Sequence, residues 1–173
     1  MSWFVIRVTY GRELKFKKLL EDIGLQVFVP MKCRKVEKEG RQVSEIVPAV
    51  SNLCFVNSER SQLDGIIKTM TLRCPARYFW DKTTNSPVVV RDKQMQDFIK
   101  VSSVMADQAL YLKDMTFKLR TGQKVRVKSG PLSGVEGVVV RIKRSRRVVV
   151  EVKDLLAIAT TYISPENLEV LVP

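Results

Sequence analysis

From Gly122 onward, short alternating runs rich in valine are punctuated by glycine turns, and this pattern restricts the fold more than any other feature of the chain. In KVRVKSG, Val125 and Val127 face one way while Lys124, Arg126 and Lys128 face the other, which is the period of a half-buried strand. GPLSG supplies a turn through Gly130, Pro131 and Gly134. GVVVRIK and RRVVVEV flank KRSR as a long hairpin, and ATTYI and LEVLV offer closing strands. A segment of about fifty such residues buries a core only by curling into a small barrel. The β-branched alternation from Val125 to Val152 leaves a helical alternative uncompetitive.

The preceding part has a different habit. Trp3 to Val8 is an apolar run of strand formers. Gly11 then opens RELKFKKLLEDIG, which ends at Gly24, with Phe16, Leu19, Leu20 and Ile23 at helical spacing and Glu13 and Lys17 as an i,i+4 pair. QVFVPMKCRKV is a second strand with Pro30 in an edge-compatible place, and EKEGR around Gly40 is a hairpin tip returning through VSEIV toward SNLCFVNS. RSQLDGIIKTM puts Leu63, Ile66, Ile67 and Met70 on one face of a second helix, capped by Ser58 or Ser61. ARYFW and PVVV read as strands around the polar loop DKTTNS. DKQMQDFIKV begins a third helix at Asp92, with Met95, Phe98 and Ile99 on one side. The order predicts an α+β sandwich with a mainly antiparallel sheet over residues 1–101 and an all-β domain over 122–173. Residues 102–121 hold no sustained period and read as a linker, or alternatively as a short helix from Val104 to Leu112.

Lysine and arginine number 30 against 18 acidic residues, a net charge of +12 that both parts share, +7 over residues 1–113 and +5 over 114–173. Such a surface concentrates polyanions and points to nucleic acid or an acidic protein face as partner, with simple solubility as the plain alternative. The three cysteines, Cys33, Cys54 and Cys74, are odd in number and lack zinc spacing, and histidine is absent. That usage suits a reducing cytoplasm and argues against a metal site. The N terminus becomes polar too quickly for a signal peptide and no run approaches a membrane span, so a cytoplasmic protein without membrane attachment is expected. No catalytic constellation, P-loop or dinucleotide fingerprint can be assembled, which predicts a non-enzyme that needs no cofactor.

SWFVIRVTYGRELKFKKLLE followed by VFVP resembles the N-terminal domain of the NusG family, whose opening strand begins with Trp and an aromatic residue before the first helix. GQKVRVKSGPLSGVEGVVVRI resembles that family's C-terminal KOW motif, with Gly137 at the motif's invariant glycine and Gly130-Pro131 at its usual turn. The middle, EIVPAVSNLCFVNSERSQLDGIIK, together with PVVVRDKQMQDFIKV, is closer to the specialised UpxY-type paralogues, which promote transcription of capsular polysaccharide operons in Bacteroides-like bacteria. The resemblance implies an NGN-like α+β sandwich followed by a small all-β, SH3-like KOW barrel. It also implies a monomeric transcription elongation and antitermination factor that binds the clamp helices and opposite lobe of RNA polymerase, holds the clamp closed and suppresses pausing. A second reading is an RNA- or ribosome-binding KOW protein without a polymerase role. A sequence-specific DNA regulator is a third, although no helix-turn-helix spacing is evident.

Residue by residue, anchoring LCFV on the family's YVLV strand puts VSNL onto its FPGY stretch. The resemblance then makes Phe4, Val50, Leu53 and Phe55 the RNA polymerase-binding candidates, although two aromatics have become Val50 and Leu53 and Pro-Gly has become Ser51-Asn52. Each of these is equally readable as core along an alternating strand. Trp3 reads as a packing anchor. Arg7, Arg12, Lys15, Lys17 and Lys18, near the first strand and helix, and Arg73 and Arg77, beside Tyr78, Phe79 and Trp80, are candidates for non-template DNA or nascent RNA, or else solvated charges. Lys143, Arg144, Arg146 and Arg147 form a basic hairpin tip suited to RNA, to a ribosomal protein or other KOW-domain partner, or to water.

Overall fold

The computed structural model describes residues 1–70, 72–105, 108, 110–112, 122–142, 144–152 and 155–172. Packing divides the chain into two compact units, Met1–Met31 with Val47–Asp92, and Lys32–Ile46 with Lys93–Pro173.

The first unit is organised on β1 (Ser2–Val8), in which Trp3, Phe4, Val5, Ile6 and Val8 are all buried. One edge of β1 pairs antiparallel with β5 (Leu53–Ser58), from Ser2 opposite Ser58 to Arg7 opposite Leu53, and β2 (Gln26–Phe28) adds to the far side of β5. The other edge takes β6 (Ala76–Tyr78) and β9 (Val89–Val90). Strand alternation sends Phe4, Ile6, Val8, Cys54 and Val56 to one face. There they pack with Phe16 and Leu20 of α1 (Glu13–Glu21) and Leu63 of α2 (Arg60–Met70). Trp3, Val5, Arg7, Leu53 and Phe55 share the opposite face. Trp3 is 1% exposed, and its buried indole Nε1 has no hydrogen-bond partner among the described residues. Burying roughly 200 Å² of indole at about 25 cal/mol per Å² gives about 5 kcal/mol, more than the roughly 1–3 kcal/mol that an unbonded donor costs.

The local chemistry trims several expectations. α1 ends three residues before Gly24, which has φ of 83°. Leu25 N–H donates to the Leu20 carbonyl and Gly24 N–H to that of Glu21, the Schellman ending. This closure carries Ile23 out to 53% exposure and brings Leu25 into the core in its place. Lys17 pairs with Glu21 at 3.4 Å, not with Glu13, which is buried and accepts the Asn52 backbone N–H. The long strand expected through Pro30 is two strands, β2 and β3 (Met31–Lys38), because proline has no N–H to continue the ladder. Ser58 precedes α2 with its hydroxyl bonded to the Gln62 side chain at 3.2 Å. A small hairpin, β7 (Trp80–Asp81) and β8 (Ser86–Pro87), encloses the polar loop.

In the second unit, β3 turns into β4 (Arg41–Pro48) at Glu39 and Gly40, whose positive φ values of 52° and 72° are those of a two-residue hairpin turn. α3 (Asp92–Val104) runs three residues into the expected linker, and β10 (Leu110–Leu112) is a strand where a short helix was the alternative. Residues 113–121 lie outside the described residues. The antiparallel strands β11 (Lys124–Val127), β12 (Glu136–Ile142), β13 (Ser145–Val152), β14 (Leu156–Tyr162) and β15 (Leu168–Val170) follow, and the sheet order is β10-β14-β13-β12-β11-β15. Among the described residues no pairing joins β10 to β15, so the sheet is established and closure into a barrel is not. The packing boundary falls at Asp92, and the rest of α3 groups with the later strands. Its buried Asp97 takes both Lys93 Nζ, at 2.6 and 2.7 Å, and the Glu136 N–H at 3.1 Å; Lys93 and Lys100 also donate to the Gly134 and Ser133 carbonyls.

Gly137 shows why a glycine stands in β12. A Cβ there would lie 2.5 Å from the Val149 carbonyl oxygen and 2.8 Å from Val148 Cγ1, contacts no side chain tolerates. Gly137→Ala is therefore expected to cost about 1–3 kcal/mol by forcing β12 and β13 apart. Urea unfolding followed by circular dichroism measures it, and an unchanged midpoint would show that the strands have room.

Candidate nucleic-acid and partner interface

The connection from β1 to α1 is a strained turn. Tyr10 has φ of 62° and Gly11 of 64°, and a left-handed conformation is unfavourable for an aromatic residue unless its surroundings impose it. The surroundings are two clamps. On one side Asn52, itself at φ of 64°, accepts the Gly11 N–H on its side-chain oxygen at 3.2 Å, while its own N–H goes to Glu13. On the other, Thr9 N–H and hydroxyl both reach the Pro75 carbonyl, and Arg12 donates to the Arg73 carbonyl at 3.1 Å. Asparagine is the residue after glycine best suited to the left-handed region, so Asn52 fills the place that the resemblance gives to the glycine of FPGY. The turn presents Tyr10 at 80% exposure with the Arg12 guanidinium 5.6 Å from the ring centroid. Sequence reasoning missed Tyr10, and its only signal was a tyrosine placed directly before Gly11 at the strand-to-helix turn.

The basic candidates fall into groups. Arg7 and Arg77 are exposed and stand directly opposite one another across the β1–β6 pairing. Like charges in that position repel, and no ion pair of either is present among the described residues. A phosphate or carboxylate between them would remove the repulsion. Arg12 and Arg73 are joined by their hydrogen bond beside Tyr10. Lys15 and Lys18 are exposed on α1, which covers the face of the sheet opposite to Arg7, so the six do not form one patch. Lys17 is engaged with Glu21. Of the neighbouring aromatics, Tyr78 packs edge-on against Phe4 at 5.6 Å and donates to Asp64 at 2.8 Å, and burial followed by that bond pushes its hydroxyl pKa up. Phe79 is half-buried and Trp80 is 48% exposed, with its indole N–H bonded to Asn85.

The apolar candidates do not make one surface. Phe4 belongs to the core beneath α1 and α2, on the other side of the sheet from Leu53 and Phe55. Phe4, Leu53 and Phe55 are 5%, 4% and 0% exposed, and only Val50 is half-buried. A charge at Phe4 therefore tests folding before it tests binding. The Cys54 thiol, buried in the same core, has its pKa pushed up by burial and then by Glu13, which makes it unreactive.

At the β12–β13 turn Arg144, with φ of 69°, and Arg146 are exposed; Arg147 is half-buried and donates to the Thr160 carbonyl at 3.1 Å. Lys143 lies outside the described residues. No helix is long and apolar enough to cross a membrane among the described residues.

Two outcomes separate binding from architecture. Tyr10→Gly relieves the left-handed strain and is expected to raise stability by up to about 1 kcal/mol while weakening binding to oligo-dT, since a stacking ring contributes about 1–3 kcal/mol per base. Fluorescence anisotropy and thermal melting read the two, and unchanged oligo-dT affinity would remove Tyr10 from the interface. Arg77→Glu turns the repulsion with Arg7 into attraction worth about 0.2–1 kcal/mol. It should raise the melting temperature and flatten the salt dependence of oligo-dT binding; a lower melting temperature would contradict the facing-charge reading.

The family described as "Transcription termination factor nusG" matches residues 1–99 of the chain, and the KOW motif matches residues 121–151. No curated protein matches it.

Proposed function

Because the chain belongs to the NusG family and is thus a transcription elongation or termination factor, we propose that it binds RNA polymerase and suppresses pausing or termination. The observation that carries this is the NusG match over residues 1–99 followed in order by the KOW match over 121–151. In this reading half-buried Val50, at the edge of buried Leu53 and Phe55, marks the surface that meets the clamp helices, and further contacts reach the opposite lobe. Holding two parts of the polymerase makes opening of the clamp more costly, so paused states lose population without any bond being made or broken. The protein acts as a non-enzyme, without a cofactor, as a cytoplasmic monomer. Tyr10, Arg12 and Arg73, with Arg7 and Arg77, supply the ring and the guanidinium groups that take exposed non-template DNA or nascent RNA. The sequence likeness to UpxY-type paralogues supports polysaccharide biosynthesis operons as the target.

A second reading, an RNA- or ribosome-binding KOW protein, is favoured by the exposed Arg144 and Arg146. An elongation assay separates the two. Titrating the protein against core RNA polymerase on a polysaccharide-operon leader is expected to shorten pause lifetimes several-fold, and Val50→Glu is expected to abolish most of that effect while leaving the fold intact. Unchanged pausing with no capture by core polymerase, together with co-sedimentation on ribosomes, would replace the first reading with the second.

A further inference from the structure

We propose that a pocket in the second unit, beside the turn joining β12 and β13, is a docking site for an acidic peptide that inserts one branched aliphatic side chain. The proposal stands apart from polymerase binding and rests on three observations. The first is shape. The pocket has a volume of about 140 Å³ and is walled by Val139, Val148, Leu168 and Val170. A cavity of roughly 150 Å³ with aliphatic walls accepts a molecule the size of benzene, so one leucine or isoleucine side chain fits.

The second is charge. Arg146 and Arg147 line the same pocket, and Arg141 stands directly opposite Arg146 across the β12–β13 pairing. Both Arg141 and Arg146 are exposed, without an ion pair among the described residues. Arg146 and Arg147 in the wall of an apolar pocket, with Arg141 across the strand pair from Arg146, are complementary to carboxylates flanking an apolar residue.

The third is an unmet donor. The register of β13 against β14 shifts between Arg147 and Val149, and the Val148 N–H is taken by the Thr160 hydroxyl at 3.1 Å. Such a bulge re-aims a side chain. Arg147 gives one guanidinium nitrogen to the Thr160 carbonyl, while its Nε is buried with no partner among the described residues. A carboxylate or carbonyl from a bound peptide would meet that need once the Arg147 side chain turns to bring the buried Nε to the pocket. RNA fits less well, because no aromatic ring is among the described residues that line the pocket, and base recognition relies on stacking.

The test uses the full chain labelled with ¹⁵N and three probes: acetyl-Glu-Asp-Leu-Glu-Asp-amide, the same peptide with Asn in place of Leu, and a uridine oligonucleotide. The leucine peptide is expected to shift the Val139, Val148 and Val170 amides saturably, and the asparagine peptide to bind about tenfold more weakly, as loss of one buried apolar side chain implies. Arg146→Glu should weaken both peptides. Val170→Trp, made at a position that is 48% exposed, fills the pocket while keeping every arginine and should erase the leucine peptide's advantage. Equal affinity for the two peptides would reduce the site to charge alone and overturn the proposal. So would shifts of these amides by the oligonucleotide without any by the leucine peptide, or no shift with any probe.

Discussion

The first unit depends on a single strand that is apolar on both of its faces. β1 has partners along both edges, and its side chains enter the core on one face and the Trp3–Val5 layer on the other. Each fully buried aliphatic or aromatic side chain contributes about 1.5–3 kcal/mol, so five in one strand supply a gain of the same order as the cost of ordering that short segment. Arg7 is the exception within this run, the one buried-strand position given to an exposed charge, and it is paired with another arginine. A core strand that carries such a pair is built at some cost in stability.

The second unit depends instead on backbone approach. At Gly137 the strands come closer than any side chain permits, and a few residues along β13 the Thr160 hydroxyl takes over a backbone N–H that the shifted register leaves free. Close contact with β12 and irregularity against β14 therefore lie on the two edges of β13. Together they decide where the arginines of the β12–β13 turn point, and so what that end of the sheet can hold.

Much of this was legible in the residues. The Val125–Val152 alternation became β11, β12 and β13, and the EKEGR tip became a two-residue turn, because both signals are local. What was not legible depended on partners distant in sequence. Glu13 read as a helix-surface charge but is buried because the N–H of Asn52, thirty-nine residues on, comes to it. Phe4 and Leu53 read as members of one polymerase-binding set, yet the register that sets Phe4 opposite Val56 puts them on opposite faces, and a one-residue difference in register reverses that parity. The apolar stripe of α3 was evident, whereas the strands it groups with are set by contacts distant in sequence. Tyr10 escaped because its conformation is imposed by Asn52, Pro75 and Arg73, none of them near it in the chain.

The β3–β4 ribbon has a consequence of its own. Among the described residues its two strands pair only with each other, so each carries an open row of amide and carbonyl groups able to recruit another polypeptide. Arg34 and Lys38, sharing Glu45 at 3.5 and 3.7 Å, keep the ribbon charged and solvated. That protection is electrostatic, and its range shrinks from about 10 Å at 0.1 M salt to about 3 Å at 1 M. Concentrated electrolyte therefore weakens that guard while leaving the open backbone groups of the ribbon unchanged.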